Sequence, residues 1–315
     1  MNNFCNICQK KVYQFGNSQK YVANQKINWV HDSIFELLKL NTAQVYFTFC
    51  PKCLHFRLMP EFSDKNLYLE EGYFIRKKTF ESYFQNQTYN DLKKVNKNFE
   101  FKVSSEFKRL AKYSNVVAKK YLHSKTCQKN KSIKILDYGG GDGYMSKSIK
   151  VILEALFDIN VIADIFNPLQ KDKNISERSQ KKYNIIILSH VLEHVHFLDK
   201  FLKEVQCFTD EQTILIVEVP DERYKLLKVF LRLRKNFMEA HVNYFSKFSL
   251  MKLFSTFKYF GKTSYITTTY RGQKMMTIFG VFKLTKPISN YGIFEIFHLL
   301  YFFFRGIYYK MNQRK

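Results

Sequence analysis

The chain has 315 residues, 46% hydrophobic and 25% charged, a balance that excludes global disorder and suits one large domain with a small companion. Eleven Gly, five Pro and the absence of a repeat period exclude collagen, long coiled coil and mucin-like stalk. A net charge of +24, from 51 Lys+Arg against 27 Asp+Glu, favours nucleic acid, nucleotide diphosphates or an anionic membrane face, unless it reflects only a Lys-rich surface.

Residues 1–16 carry two Cys and several polar residues instead of an apolar run, so no secretory signal is expected. No run of 18 apolar residues predicts a membrane-spanning helix. The expectation is a cytoplasmic protein, where six Cys do not make a disulfide framework. Cys5-x-x-Cys8 and Cys50-x-x-Cys53 form two knuckles. Two intervening residues let both thiolates of a pair face one point, and two pairs complete a tetrahedral Zn²⁺ site. Four sulfurs leave no open position for water, so a structural metal is expected. The alternative is four small apolar side chains without a metal. Cys127 and Cys207 stand alone.

Residues 1–75 are therefore expected as a zinc-binding module. Residues 76–130 read as a helical linker, with helical spacing over 101–121. The next domain is expected at 131–284. There Ile133–Tyr138, Asn160–Asp164, Ile185–Ser189 and Thr213–Val219 are short apolar runs that read as buried strands. Tyr144–Leu156 and Leu198–Phe208 repeat their apolar residues at three and four, as helices do. Alternating strand and helix predicts an α/β fold with a mainly parallel sheet. A helix over Ser249–Phe257 and a strand pair over Ser264–Thr269 and Met275–Lys283 close it.

The most informative stretch is Ile135-Leu136-Asp137-Tyr138-Gly139-Gly140-Gly141-Asp142-Gly143-Tyr144. An apolar strand ends near Asp137, and Gly139, Gly141 and Gly143 allow a tight turn and close approach to a ligand. The helix that follows offers N-terminal amides to an anionic group. The spacing Gly-x-Gly-x-Gly differs from the Gly-x-Gly-x-x-Gly turn that holds a pyrophosphate.

This segment resembles the first motif of class I S-adenosylmethionine-dependent methyltransferases. The resemblance implies a Rossmann-like fold with a mainly parallel seven-stranded sheet and S-adenosylmethionine as cofactor. It places the amino-acid end of the cofactor on the glycine loop and its ribose hydroxyls on an acidic residue ending the next strand, here Asp164. Asp137 and Ser189, at the ends of the first and fourth strands, join the implied cofactor set. YNIIILSHVLEHVHFLDKFLKEV is similar to that family's fourth strand and next helix, TILIVEVPDE to its fifth strand, and HVNYFSKFSLMKLFSTF to the segment after it. With four N-terminal cysteines, the chain most resembles sugar C-methyltransferases of surface-polysaccharide and antibiotic-sugar pathways, in which a zinc-binding domain comes first. It departs from them at three places. Tyr183-Asn184 replaces an aromatic–Asp pair, no acidic partner for the adenine is evident between Asp164 and Tyr183, and Glu239 stands one residue away from its usual place beside His241.

A methyl sulfonium is already activated, so the protein has to align the acceptor and take up its proton. Histidine is the default base near neutral pH. His194, after the fourth strand, and His241, after the fifth, are the candidate catalytic bases, with Glu239 as a supporting carboxylate. His190 and His196 receive no role from the resemblance. Residues 223–235 carry six basic and no acidic side chains among apolar ones, and suit a diphosphate or a phospholipid surface. Residues 285–315 form an aromatic, basic tail in which the stripe at 293–315 packs on the body, joins a partner or lies in a membrane interface. The expected function is methyl transfer to a small molecule, a nucleotide- or lipid-linked sugar, in the cytoplasm or at the inner membrane face. An RNA methyltransferase and a non-catalytic protein of the same fold are the competing readings.

Overall fold

In a computed structural model, the described residues are 4–22, 42–59, 105–123, 132–141, 143–166, 181–222, 241–270 and 273–284. The strands are β1 (Tyr13–Val22), β2 (Thr42–Cys50), β3 (His55–Met59), β4 (Ile133–Tyr138), β5 (Val161–Phe166), β6 (Ile185–Ser189), β7 (Ile214–Pro220), β8 (Asn243–Tyr244), β9 (Tyr259–Tyr270) and β10 (Gln273–Leu284). The helices are α1 (Ser105–His123), α2 (Tyr144–Phe157), α3 (Leu198–Gln206) and α4 (Lys247–Thr256).

Among the described residues, six strands form the main sheet in the order β5-β4-β6-β7-β10-β9. The pairs β4/β5, β4/β6 and β6/β7 are parallel, whereas β10 runs antiparallel to both β7 and β9. The sheet is thus mixed, with a parallel core. Seven strands were expected; residues 167–180, between β5 and β6, lie outside the described residues. Chain order reverses at β4, which pairs β5 on one side and β6 on the other. In such sheets the crevice at the carboxyl ends of the strands is where ligands bind.

Strand alternation builds a core on each face. Ile135, Ile185, Ile187 and Ile216 face Leu110, Tyr113 and Val117 of α1 and Ile149 and Leu153 of α2. Leu136, Ile186, Leu188 and Val217 face Leu202 and Val205 of α3 and Leu250 and Phe254 of α4. The helix α1 falls in the stretch expected as a linker, yet it is a layer of this sheet. Asn184, which replaces the expected Asp, immediately precedes β6: its Oδ1 accepts from the Lys134 amide at 2.9 Å, and its own backbone amide donates to the Lys134 carbonyl at 3.0 Å.

The N-terminal strands make a second sheet, β1-β2-β3-β8, antiparallel throughout. Its last strand comes from the far end of the chain. Phe56 pairs with Tyr244 and Arg57 with Asn243. Arg57 Nη2 also donates to the His196 carbonyl at 2.6 Å, and the Asn243 amide nitrogen donates to the carbonyls of Leu192 and Val195. Cys5, Ile7, Cys50 and Cys53 belong to the same buried cluster as α3 and α4. Residues 60–104 and 124–131, where the two linker boundaries were expected, lie outside the described residues, as do 223–240 and 285–315.

Candidate active site

The glycine turn follows directly from β4. Gly139, Gly141 and Gly143 all have left-handed backbones, with φ of 78°, 58° and 77°. A Cβ on Gly143 would fall inside Ile165, and one on Gly139 would come within 2.8 Å of Val191. These two positions need glycine for both conformation and space. A Cβ on Gly141 would meet nothing within 4 Å among the described residues, so space is open on that side of the turn. The Gly139 amide donates to the Phe166 carbonyl at 2.7 Å, tying the turn to the end of β5.

Asp137 is buried, and its Oδ2 accepts from the Ser146 amide at 3.2 Å. Gly143 caps α2 without a side chain of its own. Asp137 therefore supplies, from the preceding strand, the acceptor and negative charge that a helix N-terminus requires. Asp164 lies two residues before the end of β5 and is half-exposed. Alternation sends it to the face opposite Ile165, the residue under Gly143. Its Oδ2 accepts from the Tyr183 hydroxyl at 2.8 Å and lies 3.7 Å from Lys181 Nζ. Ser189 ends β6, and its hydroxyl accepts from Arg109 Nη2 at 2.7 Å.

Beside Ser189 lies a buried charged network that sequence reasoning missed. Glu218 is fully buried in β7. Its Oε2 accepts from Arg109 Nε and from the Tyr113 hydroxyl, each at 2.7 Å, and its Oε1 accepts from Thr277 Oγ1 at 3.2 Å. Burial alone would raise the Glu218 pKa, but Arg109 and His190 hold it well below the usual carboxylate range. The Glu218 carboxylate pushes the Tyr113 phenol in the same direction as burial, well above its ordinary value. His190, at a left-handed φ of 55°, places Nδ1 3.2 Å from Glu193 Oε1 and Nε2 3.6 Å from Glu218 Oε1. Burial disfavours its charge, yet the two carboxylates outweigh burial and bring its pKa up to about 9. The sequence signal was an acidic residue inside the apolar run Ile214–Pro220.

Next to this network, the loops after β6 and β7 meet. The Val242 amide donates to the Glu193 carbonyl at 2.8 Å. The two candidate bases are brought together: the rings of His194 and His241 lie 4.7 Å apart, edge to face. His241 Nδ1 lies 2.6 Å from Glu222 Oε2. An ionised carboxylate only accepts, so Nδ1 carries the proton and Nε2 is left with its lone pair. Glu239, expected as the supporting carboxylate, lies outside the described residues; among those described, Glu222 has that task. Its place two residues after β7 was the available signal. Glu193 is fully buried, and although burial opposes its ionisation, His190, His194 and His241 lower its pKa. His196 is buried and bonds Arg57 through its carbonyl, as a structural residue does.

At the N-terminal knuckles, Cys5 Sγ lies 3.4 Å from Cys53 Sγ and Cys8 Sγ 3.5 Å from Cys50 Sγ, and all four sulfurs fall within 4.8 Å of one another. These distances are far from an S–S bond of about 2.05 Å and near the ~3.8 Å separation of thiolates on a tetrahedral ion with ~2.3 Å bonds. Both knuckles turn alike. Gln9 and Leu54, each following a second cysteine, share a φ of 56°, and their amides return to the carbonyls of Cys5 and Cys50. The donor set suits a metal ion. The bond shared with Cys53 outweighs burial and lowers the Cys5 thiol pKa to about 3, and His55 adds to the effect. Cys207 is exposed, and Cys127 lies outside the described residues.

A family of methyltransferase domains matches residues 102–259, half of the chain, including α1, the glycine turn and both histidine loops. The chain belongs to this family. It is a class I S-adenosylmethionine-dependent methyltransferase. No curated protein matches the methyltransferase. Among solved structures it is similar to the plantazolicin methyltransferase BpumL in complex with SAH, at 11% identity over 67% of this chain and 96% of that one, with a TM-score of 0.38. The magnesium protoporphyrin IX methyltransferase from Synechocystis PCC 6803 with bound SAH gives 14% identity, 65% and 99% coverage and a TM-score of 0.34. A SAM-dependent methyltransferase from Archaeoglobus fulgidus gives 13%, 62% and 100%, and 0.35.

Proposed function

We propose that the methyltransferase modifies a small-molecule acceptor, a nucleotide- or lipid-linked sugar used in surface-polysaccharide synthesis, on the cytoplasmic side of the membrane. The observation that carries the placing of the acceptor is the meeting of His194 and His241 at the carboxyl ends of β6 and β7. Val191, three residues before His194, packs on Gly139. In this reading Gly139, Gly141 and Gly143 receive the amino-acid end of S-adenosylmethionine, with Asp137 fixing the turn and Ser189 bordering it. Asp164 receives the ribose hydroxyls. Among the described residues both of its contacts fall on Oδ2, so Oδ1 serves the cofactor.

Methyl transfer is an in-line displacement. An acceptor lone pair bonds to the methyl carbon, the carbon–sulfur pair returns to sulfur, and the acceptor's proton leaves. His194 and His241 activate the acceptor, with Glu222 holding His241 in the tautomer that directs Nε2 outward. Cys5, Cys8, Cys50 and Cys53 hold a structural Zn²⁺. The +24 charge favours an acceptor with a phosphate or diphosphate handle. The test is transfer of labelled methyl from S-adenosylmethionine to separate pools of sugar nucleotides, lipid-linked sugars and RNA. Label in a sugar pool, abolished by His241→Ala, is the expected result. Label in RNA alone overturns the acceptor class.

A further inference from the structure

We propose that Glu193, His194 and His241 form a second metal site, which takes one divalent first-row transition ion and presents it to an oxygen of the acceptor. The proposal rests on the reading above, in that the ion sits where the acceptor is placed, and it gives the means by which the histidine pair activates that acceptor. Three observations point to it.

First, one ligand atom from each of the three residues lies within 4.8 Å of the others. Three ligands on a common ion with bonds of about 2.1 Å lie roughly 3.0–3.6 Å apart, so side-chain shifts of about an ångström close the site. Second, Glu193 is fully buried, and its Oε2 has no hydrogen-bond partner among the described residues, whereas Oε1 is held by His190 and lies 4.0 Å from His194 Nε2. A buried carboxylate oxygen without a partner is costly, and a cation answers that cost directly. Third, His241 has the outer-shell support of a metal ligand. Nδ1 is held by Glu222 at 2.6 Å, which fixes the ring and leaves Nε2 as the donor.

Two imidazoles and one carboxylate favour Mn²⁺, Fe²⁺ or Zn²⁺ over Mg²⁺, which prefers oxygen ligands alone. Three protein ligands leave open positions on a five- or six-coordinate ion. Vicinal hydroxyls of a sugar would occupy two of them as a chelate. The bound hydroxyl then loses its proton to water at neutral pH. Its oxygen takes the methyl group, the carbon–sulfur bond breaks towards sulfur, and S-adenosylhomocysteine leaves as a neutral thioether. The sulfonium's charge is balanced by the proton released.

The probe is Mn²⁺, followed by electron paramagnetic resonance on the full chain, with S-adenosylhomocysteine affinity measured by calorimetry on the same samples. The expected result is one Mn²⁺ per chain, with affinity lowered at least tenfold by Glu193→Gln, His194→Gln or His241→Gln and 10- to 100-fold by Glu222→Gln. Cofactor-product affinity should change little in these variants, which also shows that they fold. Absence of Mn²⁺ binding in the wild type, or binding unchanged by all four substitutions, overturns the metal site. If S-adenosylhomocysteine still binds in that case, methyl transfer stands with His241 as a metal-free base. Loss of labelled transfer to sugars despite normal Mn²⁺ binding would instead strike the acceptor reading.

Discussion

At the scale of single residues, the glycine turn separates fold from ligand. Gly141→Ala adds a methyl group where nothing lies within 4 Å, so its structural cost is the left-handed backbone, about 1 kcal/mol. Gly143→Ala pays that and also drives a Cβ into Ile165. The expected outcome is that Gly141→Ala keeps most of its stability and loses cofactor affinity, whereas Gly143→Ala loses both. Thermal melts with and without S-adenosylhomocysteine check this, and equal melting losses would contradict it. Asp164→Ala should weaken cofactor binding by about 1.5–3 kcal/mol, the worth of a charged hydrogen-bond acceptor; unchanged affinity by calorimetry would mean that Asp164 serves its contacts to Tyr183 and Lys181 and not the cofactor. The glycines, Asp137, the two histidines and the cysteine pairs were legible because each is a local pattern. Glu222 and Arg109 were not, since their partners lie on other elements and no spacing announces them.

At the scale of elements, the joint between α1 and β7 rests on charge. Arg109 and Tyr113 descend from α1 onto Glu218, in the middle of an apolar strand. Removing one member of such a pair leaves an uncompensated buried charge, so Glu218→Gln should cost about 3–5 kcal/mol at neutral pH. The sign of its pH dependence follows from the depressed folded pKa. The native state holds the carboxylate ionised more strongly than the unfolded chain does. The stabilisation is therefore full above the unfolded value of about 4.5 and fades as pH falls towards the lower folded one. Denaturant titrations below and above that value should show a steep acid loss in the wild type and a flatter one in Glu218→Gln; parallel curves would contradict the assignment. The strands β4, β6 and β7 were readable to within a residue because burial on both faces makes continuous apolar runs. The linker expectation over 76–130 obscured the role of α1. Its apolar stripe shows that a helix forms but not what it covers.

At the scale of the whole molecule, the cysteine knuckles and the methyltransferase sheet form one buried cluster, joined by β8 and by the Arg57 bond to the His196 carbonyl. A detached module would melt apart from the rest. With this cluster, and with the four cysteines holding Zn²⁺ as proposed, calorimetry should show a single transition that drops on addition of a chelator or when Cys50→Ser removes a ligand. Two independent transitions, only one of them zinc-sensitive, would contradict it. The sequence showed two regions with different chemistry. It could not show their seam, because β8 is two residues long and pairs with a strand far away in the chain.

That two-residue strand also sets a schedule for the ribosome. The outer edge of β3 emerges early, but its partner at 243–244 is made much later, roughly 10–40 s on at typical rates of synthesis. Throughout this interval Phe56 and Leu58 sit on an unpaired strand edge, the kind of surface that recruits neighbouring nascent chains. An ion captured early by Cys50 and Cys53 would brace the β2–β3 turn during the wait. Zinc supply would then govern the yield of soluble chain as it is made, separately from any effect on the finished enzyme.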